Sequence, residues 1–253
     1  MTRPLPFRTL GDGLPLVLVH GAAEDADMLE PQARAFADTG RLVAWYDRRG
    51  TGSTERAGWP SGGVAQHVDD AAAVVAALGG AAQVMGFSSG GIVAMALPGR
   101  HPDLDVDVIA WEPAAVAVLY GGLDLHEQLM GPIEAHLDTH PHDWPGAYRT
   151  MLETISGGRA DLESAVVAAQ MVNAEAAIRD DARIITRYTF APGSIPAARV
   201  RVAHGRGVSD LHAGVIDRLV AEHGLTTVPV DAAPDHEVYL SAPDILAAVG
   251  WNR

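Results

Sequence analysis

The stretch Gly86-Phe87-Ser88-Ser89-Gly90 sets a serine among small residues between two apolar runs, residues 81–85 and 92–97. The first run has the length of a buried strand and the second reads as a helix. A Gly-x-Ser-x-Gly at such a junction forms a turn so tight that only small neighbours fit, here Gly86, Gly90 and Gly91. The Ser88 hydroxyl is then pushed clear of the sheet, and the N-terminus of the helix points free N–H groups at the reacting atoms. A serine so placed can attack a carbonyl carbon, provided that a base takes its proton and a carboxylate orients the base. The candidate base is His236, in Asp235-His236-Glu237, after the apolar run 226–230 and before a helix expected at 243–249.

Two carboxylates can serve as the orienting acid. Glu112 closes the apolar run 106–111 and is followed by Pro113; a carboxylate at the mouth of a buried strand is costly unless it has a partner. Asp210 follows the run 200–203, but an acid in that loop is expected about three residues after Gly205, where Val208 stands. Asp210, like Ser209, also reads as a cap of the helix expected at 211–223. Glu112 is therefore favoured, with Asp210 as the alternative. An acyl-transfer serine also needs two N–H donors for the developing oxyanion. One is Ser89, next to the nucleophile; the other is expected from His20-Gly21-Ala22-Ala23, with Ala22 the first choice and Gly21 the second. His20 reads as a structural histidine that holds this loop.

Two other clusters are given no chemistry. Asp47-Arg48-Arg49-Gly50-Thr51-Gly52-Ser53 lacks the Gly-Lys-Ser/Thr ending of a phosphate loop and reads as a sharp turn tied by ion pairs. His136, His140 and His142 surround Pro141 without a regular ligand face, so no metal site is expected.

The elements that must hold these residues alternate. Apolar runs at 16–19, 42–46, 81–85, 106–111, 200–203 and 226–230 are separated by helical patterns at 26–37 and 64–78, which predicts a mostly parallel sheet covered on both faces. The loops carrying the candidate residues then lie along the carboxyl edge of that sheet. Between Gly121 and Pro192 no strand is expected; segments 125–137, 144–155, 161–174 and 176–188 read as helices. The division is a core of residues 1–120 and 193–253 with a helical cap, residues 121–192, inserted after the strand that ends near Trp111.

Composition narrows the partners. The 253 residues are 48% hydrophobic, enough to bury a core, and include no Cys, which excludes disulfides and thiol nucleophiles. A net charge of −14, from 32 acidic and 18 basic residues, speaks against nucleic acid or an anionic membrane as partner. Residues 1–10 lack an apolar signal core and no run approaches a membrane span, so a cytoplasmic location is expected.

Taken together, His20-Gly21, the Asp47–Ser53 turn, the Ser88 pentapeptide and His236 resemble the α/β-hydrolase superfamily in order and spacing, over nearly the whole chain. The resemblance implies an α/β-hydrolase fold with a helical cap, a triad of Ser88, Glu112 and His236, and no cofactor. Ser88-Ser89, Glu112 and the stretch from Tyr188 to Pro196 are further similar to zearalenone-type lactone hydrolases with a Ser-Glu-His triad, although Trp144 is not placed like the cap tryptophan of that group. The expected substrate is a small apolar ester or lactone, a macrocyclic lactone such as zearalenone included. Cofactor-free haloperoxidase or C–C bond hydrolase chemistry on the same triad, or a low-turnover ligand receptor, are the alternatives.

Overall fold

The computed structural model describes residues 3–54, 56 and 59–249; residues 1–2, 55, 57, 58 and 250–253 of the expected core lie outside the described residues. Among the described residues seven strands form one sheet: β1 (Phe7–Leu10), β2 (Leu14–Val19), β3 (Arg41–Tyr46), β4 (Ala81–Phe87), β5 (Asp105–Trp111), β6 (Val200–Gly205) and β7 (Thr226–Val230). Their order is β1-β3-β2-β4-β5-β6-β7, with β1 antiparallel to β3 and every other pair parallel. The pleat sends alternate residues to opposite faces. Val17, Val19, Ala44, Tyr46 and Val84 enter one core, while Leu16, Leu18, Val43, Trp45 and Met85 enter the other. Both faces are buried because helices cover both, as a parallel sheet requires. The first core packs under α2 (Gly63–Ala77) and α3 (Ser89–Arg100), and the second under α1 (Ala26–Ala37). The sheet places β4 between β2 and β5, so the turns after β2, β4 and β5 meet at one edge.

The chain between β5 and β6 adds no strand. It forms α4 (Gly122–Thr139), α5 (Trp144–Ser156) and α6 (Ala165–Gln170), then a 3-10 turn (Met171–Asn173) and a short helical turn, α7 (Ala174–Ala176). Residues Ala177–Ile185 that follow are a π-helix. Their apolar faces make a third core, in which Met130, Ile133, Tyr148, Met151 and Ile178 pack with Ala23 of the loop after β2. The insertion is therefore seated directly on the loop from which an oxyanion donor was expected. The expected helix over 161–174 begins only at Ala165, because the Ser164 side chain accepts the Val167 N–H and caps it there. The remaining helices are α8 (Asp210–His223), α9 (Val238–Ser241) and α10 (Pro243–Ala247). Among the described residues no helix is long and apolar enough to cross a membrane.

Candidate active site

β4 ends at Phe87 and α3 starts at Ser89, so Ser88 alone makes the turn. It does so at φ 52°, ψ −116°, a conformation that L-residues rarely adopt and that costs of order 1–3 kcal/mol. Neighbouring backbone holds it there: the Ser88 N–H donates to Trp111 O at 3.0 Å, and Gly91 and Ala114 N–H groups donate to Ser88 O. The turn also explains its glycines. A Cβ on Gly86 would lie 2.3 Å from Gly90 O, and one on Gly90 would lie 2.3 Å from His20 O.

Two adjacent residues at the end of β5 hold His236. The Trp111 Nε1–H donates to the His236 backbone carbonyl at 2.9 Å. The Glu112 carboxylate takes the ring: its Oε2 lies 2.8 Å from His236 Nδ1, while Oε1 accepts the Gly205 N–H at 3.0 Å. Glu112 is fully buried and, like Ser88, is a non-glycine residue at positive φ, here 37°. Its backbone N–H donates to Ala203 O at 2.9 Å, so β5–β6 pairing fixes the residue where its side chain turns inward. Asp210 is elsewhere: it is exposed in the first turn of α8, whose cap is Ser209.

Ser88, His236, Ala22 and Ser89 line one cavity of about 160 Å³ between the sheet edge and the insertion. Its far wall is apolar, with Leu129, Met130, Ile133 and Met151. The two oxyanion candidates after β2 differ. The Gly21 N–H donates to Glu24 Oε2 at 2.7 Å, so it is spent on a side chain, whereas Ala22 faces the cavity. Glu24 is itself buried, with Oε1 accepting the Tyr239 hydroxyl at 2.5 Å. Burial raises the Glu24 pKa to about 7, although these two hydrogen bonds and the positive field of His236 pull it down. His20 locks the same loop from behind: its Nε2 accepts the Arg48 N–H at 3.0 Å, which leaves Nδ1 to donate to Gly21 O at 2.8 Å. Burial and the nearby Arg48 push the His20 pKa well below the usual imidazole range, which keeps it neutral for that role.

Three residues that sequence reasoning passed over stand beside the site. Arg48, placed in a structural turn, is buried; it reaches Asp181 Oδ1 at 2.7 Å and Gly21 O at 2.9 Å. Asp181, on the π-helix, also accepts the Ser89 hydroxyl at 2.5 Å and lines the cavity. His212 of α8 stacks on His236, with ring centroids 4.4 Å apart and planes 17° from parallel. Burial, and then the charge of His236, pull the His212 pKa well below the ordinary value. Glu112, His212 and His236 are close enough to suggest a metal site. Their geometry does not suit one. Ring nitrogens donate in the plane of the ring, and two nearly parallel, stacked planes share no point for an ion, while both Glu112 oxygens already accept hydrogen bonds.

The serine aminopeptidase S33 family matches residues 15–137, a little under half of the chain. The uncharacterized hydrolase YraK of Bacillus subtilis is 35% identical over 127 residues, 49% of this chain, and the matched segment spans 46% of that relative's own length. Whole-chain similarity comes from solved structures. An α/β hydrolase from Sphaerobacter thermophilus superposes with a TM-score of 0.66 at 22% identity, over 96% of this chain and 93% of that one. The chain has the α/β-hydrolase fold. A second structure with this fold, Est816, described as an N-acyl homoserine lactone degrading enzyme, gives a TM-score of 0.67 at 20% identity, again over 96% and 93%. The single-residue turn at Ser88 joins β4 to α3 at the carboxyl edge of the sheet, and the loops after β2 and β5 flank it.

Proposed function

We propose that the protein is a serine hydrolase of small carboxylic esters and lactones, with Ser88, His236 and Glu112 as its triad. The carrying observation is that the strained Ser88 turn and the His236–Glu112 pair open into the same cavity. Glu112, as acceptor, keeps the proton of His236 on Nδ1, and Nε2 is left to take the proton of Ser88. Ser88 Oγ attacks the carbonyl, and the N–H groups of Ala22 and Ser89 receive the oxyanion. His236 returns the proton to the leaving alcohol. It then activates a water that releases the acid from Ser88. In a lactone the alcohol stays tethered, so one ring-opened product forms. Residues 121–192 act as the cap over the core of residues 1–120 and 193–253. The similarity to the hydrolase YraK and to Est816, described as a lactone-degrading enzyme, supports this reading. No metal or cofactor enters it.

Cavity size favours the small end of the expected substrates. About 160 Å³ is close to the ~150 Å³ that accommodates benzene in an engineered protein cavity. A short acyl group or a small lactone suits this space better than a macrocycle does. The test is steady-state and burst release of nitrophenol from p-nitrophenyl acetate. Turnover that is lost in Ser88→Ala and unchanged by a chelator is expected. Stoichiometric binding without turnover would replace the enzyme with a ligand receptor.

A further inference from the structure

The polar end of the cavity holds a carboxylate for which the triad chemistry has no use. Asp181 is 2% exposed, and the cavity is one of the surfaces it lines. Both hydrogen bonds to its carboxylate among the described residues, from Arg48 and from the Ser89 hydroxyl, fall on Oδ1. Its backbone is equally fixed, since Asp181 O accepts the Thr186 N–H at 2.9 Å in the π-helix. The side chain is therefore held by three elements: the loop after β3, the start of α3 and the insertion. A salt bridge alone would need no face on the cavity.

Resting on the hydrolase reading, we propose that Asp181 Oδ2 is a specificity-determining acceptor, receiving a hydrogen bond from a neutral O–H or N–H group that the substrate carries close to its scissile carbonyl. The position follows from the chain: the residue that ties Asp181 is Ser89, next to the nucleophile and itself the proposed oxyanion donor. Neutrality follows from Arg48, whose buried guanidinium at 2.7 Å already balances the carboxylate. A ligand need supply only a donor, and a substrate carboxylate would be repelled. The opposite wall remains apolar, with Leu129, Met130 and Ile133. The substrate class is thus a small ester or lactone that has an apolar body and a hydroxyl or amide N–H within a few bonds of the carbonyl.

The experiment compares ethyl butyrate with racemic ethyl 3-hydroxybutyrate, which differ by one hydroxyl, in wild type and Asp181→Asn. The asparagine keeps an oxygen for Arg48 and Ser89 and turns the proposed acceptor atom into a donor. A hydrogen bond to a charged acceptor predicts that wild type prefers the hydroxy ester about ten- to a hundredfold in kcat/KM. The ratio should fall to about one, or reverse, in Asp181→Asn. A wild-type ratio near one overturns the proposal even if the variant does not fold. So does a preference that survives in a folded Asp181→Asn. If neither ester is hydrolysed, it is the hydrolase reading that fails. Calorimetric binding of pentan-2-one and 4-hydroxypentan-2-one to wild type then decides: tighter binding of the hydroxy ketone sustains the acceptor role, and equal binding overturns it.

Discussion

Replacing Glu112 by Gln tests the assignment of the orienting acid with almost no change of shape. In the proposed mechanism His236 gains a positive charge in the transition state, and Glu112 is the carboxylate beside it. The His236 side chain is 29% exposed, so water reaches the pair and an effective dielectric near 20 applies. Unit charges about 4 Å apart then attract by about 4 kcal/mol, which is about a thousandfold in rate. A tautomer effect adds to this. The Gly205 N–H occupies one carboxylate position and requires an oxygen there. The glutamine NH₂ must then face His236 Nδ1 and donate to it, which places the ring proton on Nε2, where the serine proton should go. Glu112→Gln should therefore lower kcat/KM for p-nitrophenyl acetate by about 10³ to 10⁴-fold, with KM little changed and a normal thermal transition. Asp210→Asn, exposed in α8, should stay within about twofold of wild type. A Glu112→Gln enzyme that keeps more than a tenth of the activity, beside an Asp210→Asn enzyme that loses it, would refute the reasoning.

Other outcomes follow from neighbouring groups. Glu24 has a folded pKa of about 7 against an ordinary 4.5, so the folded state holds its proton more tightly than the unfolded chain does. Its contribution is fully present below about pH 4.5 and is lost as pH rises through 7, by about 3 kcal/mol in all. Urea denaturation at pH 5 and pH 8 should show Glu24→Gln gaining on wild type by up to that amount at the higher pH; parallel behaviour would contradict the assignment. Gly90→Ala brings a Cβ to 2.3 Å from His20 O and 2.4 Å from Val19 O, both backbone atoms that cannot yield cheaply. It should cost at least about 2 kcal/mol of stability and abolish turnover, and a soluble, active Gly90→Ala protein would contradict the packing described for the turn.

Alternation of apolar runs with helical patterns was enough to read the sheet and most of its connections. Residues 26–37 and 226–230 form the helix and strand that the pattern predicts, because each is bounded by its own signals. β1 went unread: it is four residues long, half-exposed on the sheet edge, and takes its partner, β3, from thirty-odd residues away. The helix expected at 176–188 is a π-helix over 177–185, and a 3.6-residue period cannot announce the wider turn. The structure brings Ser88, Glu112 and His236 together, and each ends or follows a strand that the sequence shows. Arg48 and Asp181 were not legible, since a pair 133 residues apart is made by the fold and leaves no local pattern. The same holds for Glu24 and Tyr239, 215 residues apart, and for the stacking of His212 on His236.

Asp180 and Asp181 are consecutive, yet they are anchored in different places. Asp181 meets Arg48 and Ser89, while Asp180 accepts the Trp59 Nε1–H at 2.9 Å and lies 2.6 Å from His67 Nε2. Lifting this part of the insertion would break the contacts of both carboxylates in one movement. This stretch of the insertion is thus pinned to the loop after β3, to the start of α3 and to α2. Ile155, at the end of α5, belongs both to the cavity wall and to the outer surface, at 46% exposure. A single side chain is thus shared between the apolar cavity wall and solvent.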